Sequence, residues 1–166
     1  MTLLVPFDGS DLATNALEKA STFGALLDQD VVVLTVVPDD REYAVNRGWI
    51  TDGEPFEPEE IAAGIQTRAD EVAPEATFRV ERVSSDEPTA TATTNVVREI
   101  RRIAAAVEAS VLFIGSENAG SVIAPQSSVG SPVANDHRYD VYVVRGPNGE
   151  VDPEAVSDID STTDQF

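Results

Sequence analysis

The sequence contains no cysteine and a single histidine, His137. Disulfide frameworks, thiolate zinc sites and cysteine nucleophiles are therefore excluded, and one imidazole cannot build a histidine-rich metal site. Lysine is almost missing as well: Lys19 is the only one, and the other ten of the eleven bases are arginine. No apolar run approaches the roughly 18–20 residues that a membrane span requires, so no membrane partner is expected. Met1–Pro6 has no basic stretch and runs straight into a strand pattern, so no signal peptide is expected either.

What is abundant is carboxylate. Thirty Asp and Glu stand against eleven bases, for a net charge of −19 over 166 residues. Self-repulsion on that scale is serious in dilute buffer, but the screening length falls to about 3 Å in molar salt. The composition points to a soluble protein of a salt-rich cytoplasm, the alternative being an acidic mesophilic protein. Nucleic acid is not an expected partner, because phosphate recognition needs clustered cations. Apolar residues make up 42% of the chain, enough to oppose wholesale disorder. The length suits one domain that hides roughly two-thirds of its unfolded surface.

The pattern along the chain alternates strand and helix. Residues 3–7 read as a short buried strand, broken by Asp8-Gly9-Ser10. Ser10 is a good N-cap, and Ala13, Ala16, Leu17, Ala20 and Phe23 recur at helical spacing, which predicts a helix over 11–27. Val31–Val37 is a continuous apolar run, the mark of a strand covered on both faces. Residues 39–57 read as an acidic loop packed by Tyr43, Trp49 and Phe56, with Trp49 as its anchor. A helix over Pro58–Val72 follows, then an alternating edge strand over Phe78–Val83. The next helix is capped by Thr94 or Asn95 and turns Val96, Ile100, Ile103 and Val107 inward, with Arg98, Glu99, Arg101 and Arg102 outward. Val111–Ile114 is a further apolar strand. A short last helix opens at Ser131-Pro132, with His137 near its end, and Val141–Val144 is the last strand. Residues 146–166 are acidic and poor in large apolar side chains, so a disordered tail is expected after a domain over 1–145.

Strands alternating with helices imply a doubly wound, five-stranded parallel sheet, Rossmann-like, with strand order 3-2-1-4-5. Ligands of such sheets sit beyond the carboxyl ends of the strands at the switch point. That places the candidate site at Asp8–Ser10 and at Gly115–Ser131. Both loops are rich in Gly and Ser, which let backbone approach a phosphate, and Ser131 with Pro132 is a strong helix start. An ordinary strand-to-helix turn explains the same residues, and Asp8 beside Gly9 is also a turn-forming pair. Gly115-x4-Gly120 begins like a P-loop, but Ser121-Val122 stands where Lys-Ser/Thr is required, and no G-x-G-x-x-G occurs. Asp39-Asp40 reads as solvated acid more readily than as a cation site.

Leu4-Val5-Pro6-Phe7-Asp8-Gly9-Ser10, with Ala16-Leu17 in the helix after it, resembles the opening of the universal stress proteins. Leu34-Thr35-Val36-Val37-Pro38 is similar to their second strand, and Ala109–Gly115 to their fourth. Gly120-x9-Gly130-Ser131 resembles the second half of their nucleotide signature, and Val141–Arg145 their terminal strand. The resemblance covers residues 2–145 and implies an acidic, haloarchaeal-type member with an adenine nucleotide alpha hydrolase-like fold. It implies that Phe7, Asp8 and Val36 hold an adenosine and that Gly115, Gly120, Gly130 and Ser131 hold phosphates. ATP is the implied cofactor, with Mg or Mn entering only through the nucleotide, and a homodimer through Val141–Val144 is implied.

The departures have consequences. The first glycine spacing is two residues longer than the family's, Glu117 puts negative charge where phosphates would lie, and residues 116–131 contain no Lys or Arg. Three functions follow as expectations. The first is a non-enzymatic, regulatory nucleotide-binding dimer, and the second is the same fold and dimer acting as an interaction module without nucleotide. The third is a slow ATP-hydrolysing enzyme, although no nucleophile–base pair is visible in the sequence.

Overall fold

The alternation of apolar runs with helical spacing resolves, in a computed structural model, into an α/β sandwich. The structure describes residues 1–84, 91–116 and 139–145. In chain order the elements are β1 (Thr2–Pro6), α1 (Asp11–Leu27), β2 (Asp30–Pro38), α2 (Arg41–Asn46), α3 (Pro58–Val72), β3 (Thr77–Val83), α4 (Ala92–Ala106), β4 (Ala109–Gly115) and β5 (Asp140–Val144). The five strands form one parallel sheet of order β3-β2-β1-β4-β5, as the alternation implies. The glycine-rich loop expected after residue 116, the helix expected to open at Ser131-Pro132 and the disordered tail expected over 146–166 all lie outside the described residues.

Side chains alternate across the pleat, so each apolar strand feeds two cores. Leu3, Val5, Val33 and Phe113 pack under α1 and α3, while Leu4, Leu34, Leu112 and Ile114 pack under α4. This double burial is why β1 and β2 read as unbroken apolar runs rather than alternating ones. Each fully buried Leu or Phe adds about 1.5–3 kcal/mol of transfer free energy.

Local signals explain where the helices start and stop. Ser10 caps α1, its Oγ accepting from the Ala13 amide at 3.2 Å. Asp28 ends α1 in the left-handed region, at φ 53°, and its amide bonds Gly24 O. Gly24 lets α1 approach β2: a Cβ there would lie 2.7 Å from Val31 Cγ2.

Three expectations need correction. Residues 39–57 are not loop throughout, because Asp40 caps the short helix α2, accepting from the Tyr43 amide at 3.0 Å. The cap of helix α4 lies three residues before Thr94: it is Thr91, whose hydroxyl accepts from the Thr94 amide, and the helix begins at Ala92. Its buried stripe is Asn95, Val97, Ile100, Ile103 and Ala104, so Val96 and Val107 flank the core instead of filling it. Glu99 is largely covered as well, at 14% side-chain exposure, beneath Arg102.

Candidate functional site

The sheet splits between β1 and β4: from β1 the chain steps outward through β2 to β3, then returns to β4 and β5. Helices diverge there and leave a cleft beyond the strands' carboxyl ends. Its floor is Pro6, Phe7, Leu34, Val36, Ile114 and Gly115, and one wall is Thr93, Val96, Val97 and Ile100 of α4. Asp8 with Tyr43, Arg47 and Trp49 forms the other wall. The arrangement is an apolar slot with one carboxylate at its edge, which suits a flat apolar ring carrying hydrogen-bond donors.

The turn that presents Asp8 is held from below and from the side. Phe7 N donates to Leu34 O at 2.8 Å, extending the β1–β2 ladder one residue past the end of β1. The Thr35 hydroxyl, fully buried within β2, donates to Phe7 O at 2.8 Å. Gly9 then takes φ 80°, a conformation that side chains resist. Asp8 Oδ1 accepts from the Ser10 amide at 2.9 Å, and Gly9 O accepts from Arg68 Nη1 at 2.7 Å.

Segment 41–49 closes over this turn. Arg47 Nη1 donates to Asp8 Oδ2 at 2.9 Å, and Trp49 Nε1 donates to Asp8 O at 2.8 Å. The Arg47 guanidinium lies 5.1 Å from the centre of the Tyr43 ring, and Tyr43 meets Trp49 edge-on at 5.6 Å. Burial pushes the Tyr43 phenol above its ordinary value, against the opposing pull of the Arg47 charge. Arg41 ties the far side of the segment down through Asp52 Oδ1 and the backbone carbonyls of Asp52 and Glu54.

A family model, the universal stress protein family, matches residues 1–145. The chain belongs to the universal stress protein family. Among solved structures, hypothetical protein MJ0577, whose biochemical function was assigned from its structure, superposes with a TM-score of 0.54 at 18% identity, over 89% of this chain and 96% of that one. A universal stress protein in complex with cAMP is 22% identical over 87% of this chain and 96% of its own, with a TM-score of 0.49. The universal stress protein from Archaeoglobus fulgidus in complex with dAMP is 19% identical over 87% and 97%, with a TM-score of 0.49. At these identities the likeness is one of fold. No curated protein matches the chain.

Of the residues that the resemblance singles out, the structure brings Phe7, Asp8, Val36 and Gly115 to one cleft of this universal stress protein. Gly120, Gly130 and Ser131 lie outside the described residues. Gly115 has a packing role too, since a Cβ there would meet Leu12 Cβ at 3.0 Å. Sequence reasoning missed Arg47, Tyr43 and the α4 wall as site residues. Asp40 as a cap with Tyr43 and Arg47 four residues apart fits a single helical turn, but nothing local ties Arg47 to Asp8. Asp39 and Asp40 are engaged elsewhere, Asp39 with Arg82 at 3.0 Å and Asp40 as the cap of α2. Among the described residues no group of three or more His, Asp or Glu could hold a metal ion, and no helix is long and apolar enough to cross a membrane.

Proposed function

We propose that this universal stress protein is a regulatory, non-enzymatic module whose cleft takes the adenosine part of an adenine nucleotide, ATP among them. One observation carries the reading: the apolar slot at the switch point is edged by a carboxylate, Asp8, whose turn is fixed by a buried hydrogen bond from the Thr35 hydroxyl to Phe7 O and one from the Phe7 amide to Leu34 O. A carboxylate so placed accepts hydrogen bonds from ribose hydroxyls or an adenine amine, and the slot removes the ring faces from water. Gly120, Gly130 and Ser131 are proposed as the phosphate half on the strength of the family signature. Residues 1–145 are proposed as the working domain. The surplus of carboxylates fits a salt-rich cytoplasm, and no nucleic-acid or membrane partner is proposed.

The test is nucleotide release. The protein is purified in molar KCl and denatured, and the supernatant is analysed by chromatography; adenine nucleotide near one per chain is expected. An empty supernatant, with no thermal shift on adding Mg-ATP, would favour the second reading, an interaction module without nucleotide. That reading draws support from Asp8, both of whose oxygens already have partners.

A homodimer through β5 is also proposed. Along this edge strand Val141 and Val143 are half-buried and Tyr142 is 40% exposed, its ring stacked 5.1 Å from Phe113. An apolar outer strand is a pairing template. Sedimentation over a dilution series in molar KCl should give a two-chain species; monomer throughout would remove the dimer.

A further inference from the structure

The carboxylate offered to adenosine is occupied by the protein itself. Asp8 Oδ1 accepts from the Ser10 amide and Oδ2 from Arg47, both at 2.9 Å. The two side chains are 19% and 27% exposed, so the pair sits in the cleft wall and not on the outer surface. Tyr43 backs the guanidinium, and Trp49 holds the carbonyl of the same aspartate. Two side chains of one segment, Arg47 and Trp49, therefore meet one residue of another, with Tyr43 behind them, and Arg47 is the only cation among the described residues lining the cleft. A guanidinium neutralised by a carboxylate and backed by an aromatic face has little charge left to offer a phosphate. What it can do is compete.

We propose that Arg47 is a positioning residue that competes with ligand for Asp8. The cleft then accepts a molecule only if that molecule replaces the guanidinium with hydrogen-bond donors of its own, and the exchange removes one of the two bonds that the segment makes to Asp8, leaving that of Trp49 Nε1 to Asp8 O. The inference rests on the adenosine reading of the same cleft. It gives salt a direct role: the pair is partly solvated, so it weakens as ions screen it. In a chain of net charge −19 the latch would be weakest in the medium that suits the surface best.

Trp49 is the only tryptophan, so its emission reports the latch without ligand. Adenosine, which carries no phosphate charge, is titrated by calorimetry into the wild type and Arg47→Gln at about 0.5 M and about 3 M KCl, with circular dichroism confirming that both are folded. The variant should bind roughly two- to fivefold tighter at the lower salt, the size of a partly exposed ion pair, and the advantage should shrink at the higher. Ligand-free Trp49 emission should differ between the two proteins at low salt and converge as salt rises. Equal or weaker binding by Arg47→Gln overturns the proposal. If neither protein binds adenosine, the adenosine reading fails separately and emission alone decides the latch. A salt-driven shift present only in the wild type retains it, and the same response in both removes it.

Discussion

Two neighbouring strands of this sheet are each followed by an aspartate, and each aspartate meets an arginine. Asp8 follows β1 and takes Arg47 at 2.9 Å; Asp39 follows β2 and takes Arg82 at 3.0 Å. The distances are nearly equal, but the surroundings are not. Asp8 and Arg47 are 19% and 27% exposed, whereas Asp39 and Arg82 are 55% and 47% exposed. Asp8 also stands on a turn whose carbonyls are held by Thr35, Trp49 and Arg68. Asp39 is fixed by one backbone bond, its amide to Val83 O at 2.8 Å, and Arg82 divides its guanidinium between Asp39 and Glu59. An ion pair alone therefore does not make a site here. Burial, a fixed backbone and an adjoining apolar cleft distinguish the first turn from the second.

The contrast breaks most sharply below the first turn. Thr35→Val leaves the Phe7 carbonyl without its buried donor and places a methyl against it, which should cost about 1–3 kcal/mol in denaturant unfolding. It should also weaken adenosine binding, because Phe7 and Asp8 lose their common support. Stability and affinity both unchanged would mean that the turn is held by the strands alone. At the second turn the effect should be small. Arg82→Ala removes two exposed ion pairs and should change stability by no more than about 0.5–1 kcal/mol, with adenosine affinity unaltered. A larger loss would show that the β3 edge depends on its charges more than exposure suggests.

The sequence was most legible where one residue satisfies several local rules at once. Ser10 caps α1, and Ala13, Ala16, Leu17 and Ala20 then supply its buried face, so that helix was placed from Asp11 to Leu27. β2 announced itself because both of its faces are covered. Helix α4 was placed late because Thr91, Thr93 and Thr94 are all competent caps, and only packing against the sheet selects Thr91. Helix α2 was missed because six residues are too few to show a period. Within the candidate site, Asp8 and Gly115 were legible as positions at strand ends, whereas Val36 came only from the family resemblance. Thr35 was not legible, because a hydroxyl inside an apolar run has no local signature. Arg47 was not, because its partner lies 39 residues away in the chain. Hydrogen bonds of that span leave no trace in local periodicity, and they are what turns a strand end into a cleft.

Of the two turns, the first is the proposed ligand contact and the second is not. The most direct test is adenosine titrated by calorimetry in molar KCl into the wild type, Asp8→Ala and Asp39→Ala. Asp8→Ala is expected to lose roughly ten- to a hundredfold in affinity, the scale of hydrogen bonds to a charged group, while Asp39→Ala binds as the wild type does. Equal losses in both variants, or none in Asp8→Ala beside a wild type that binds, would contradict it.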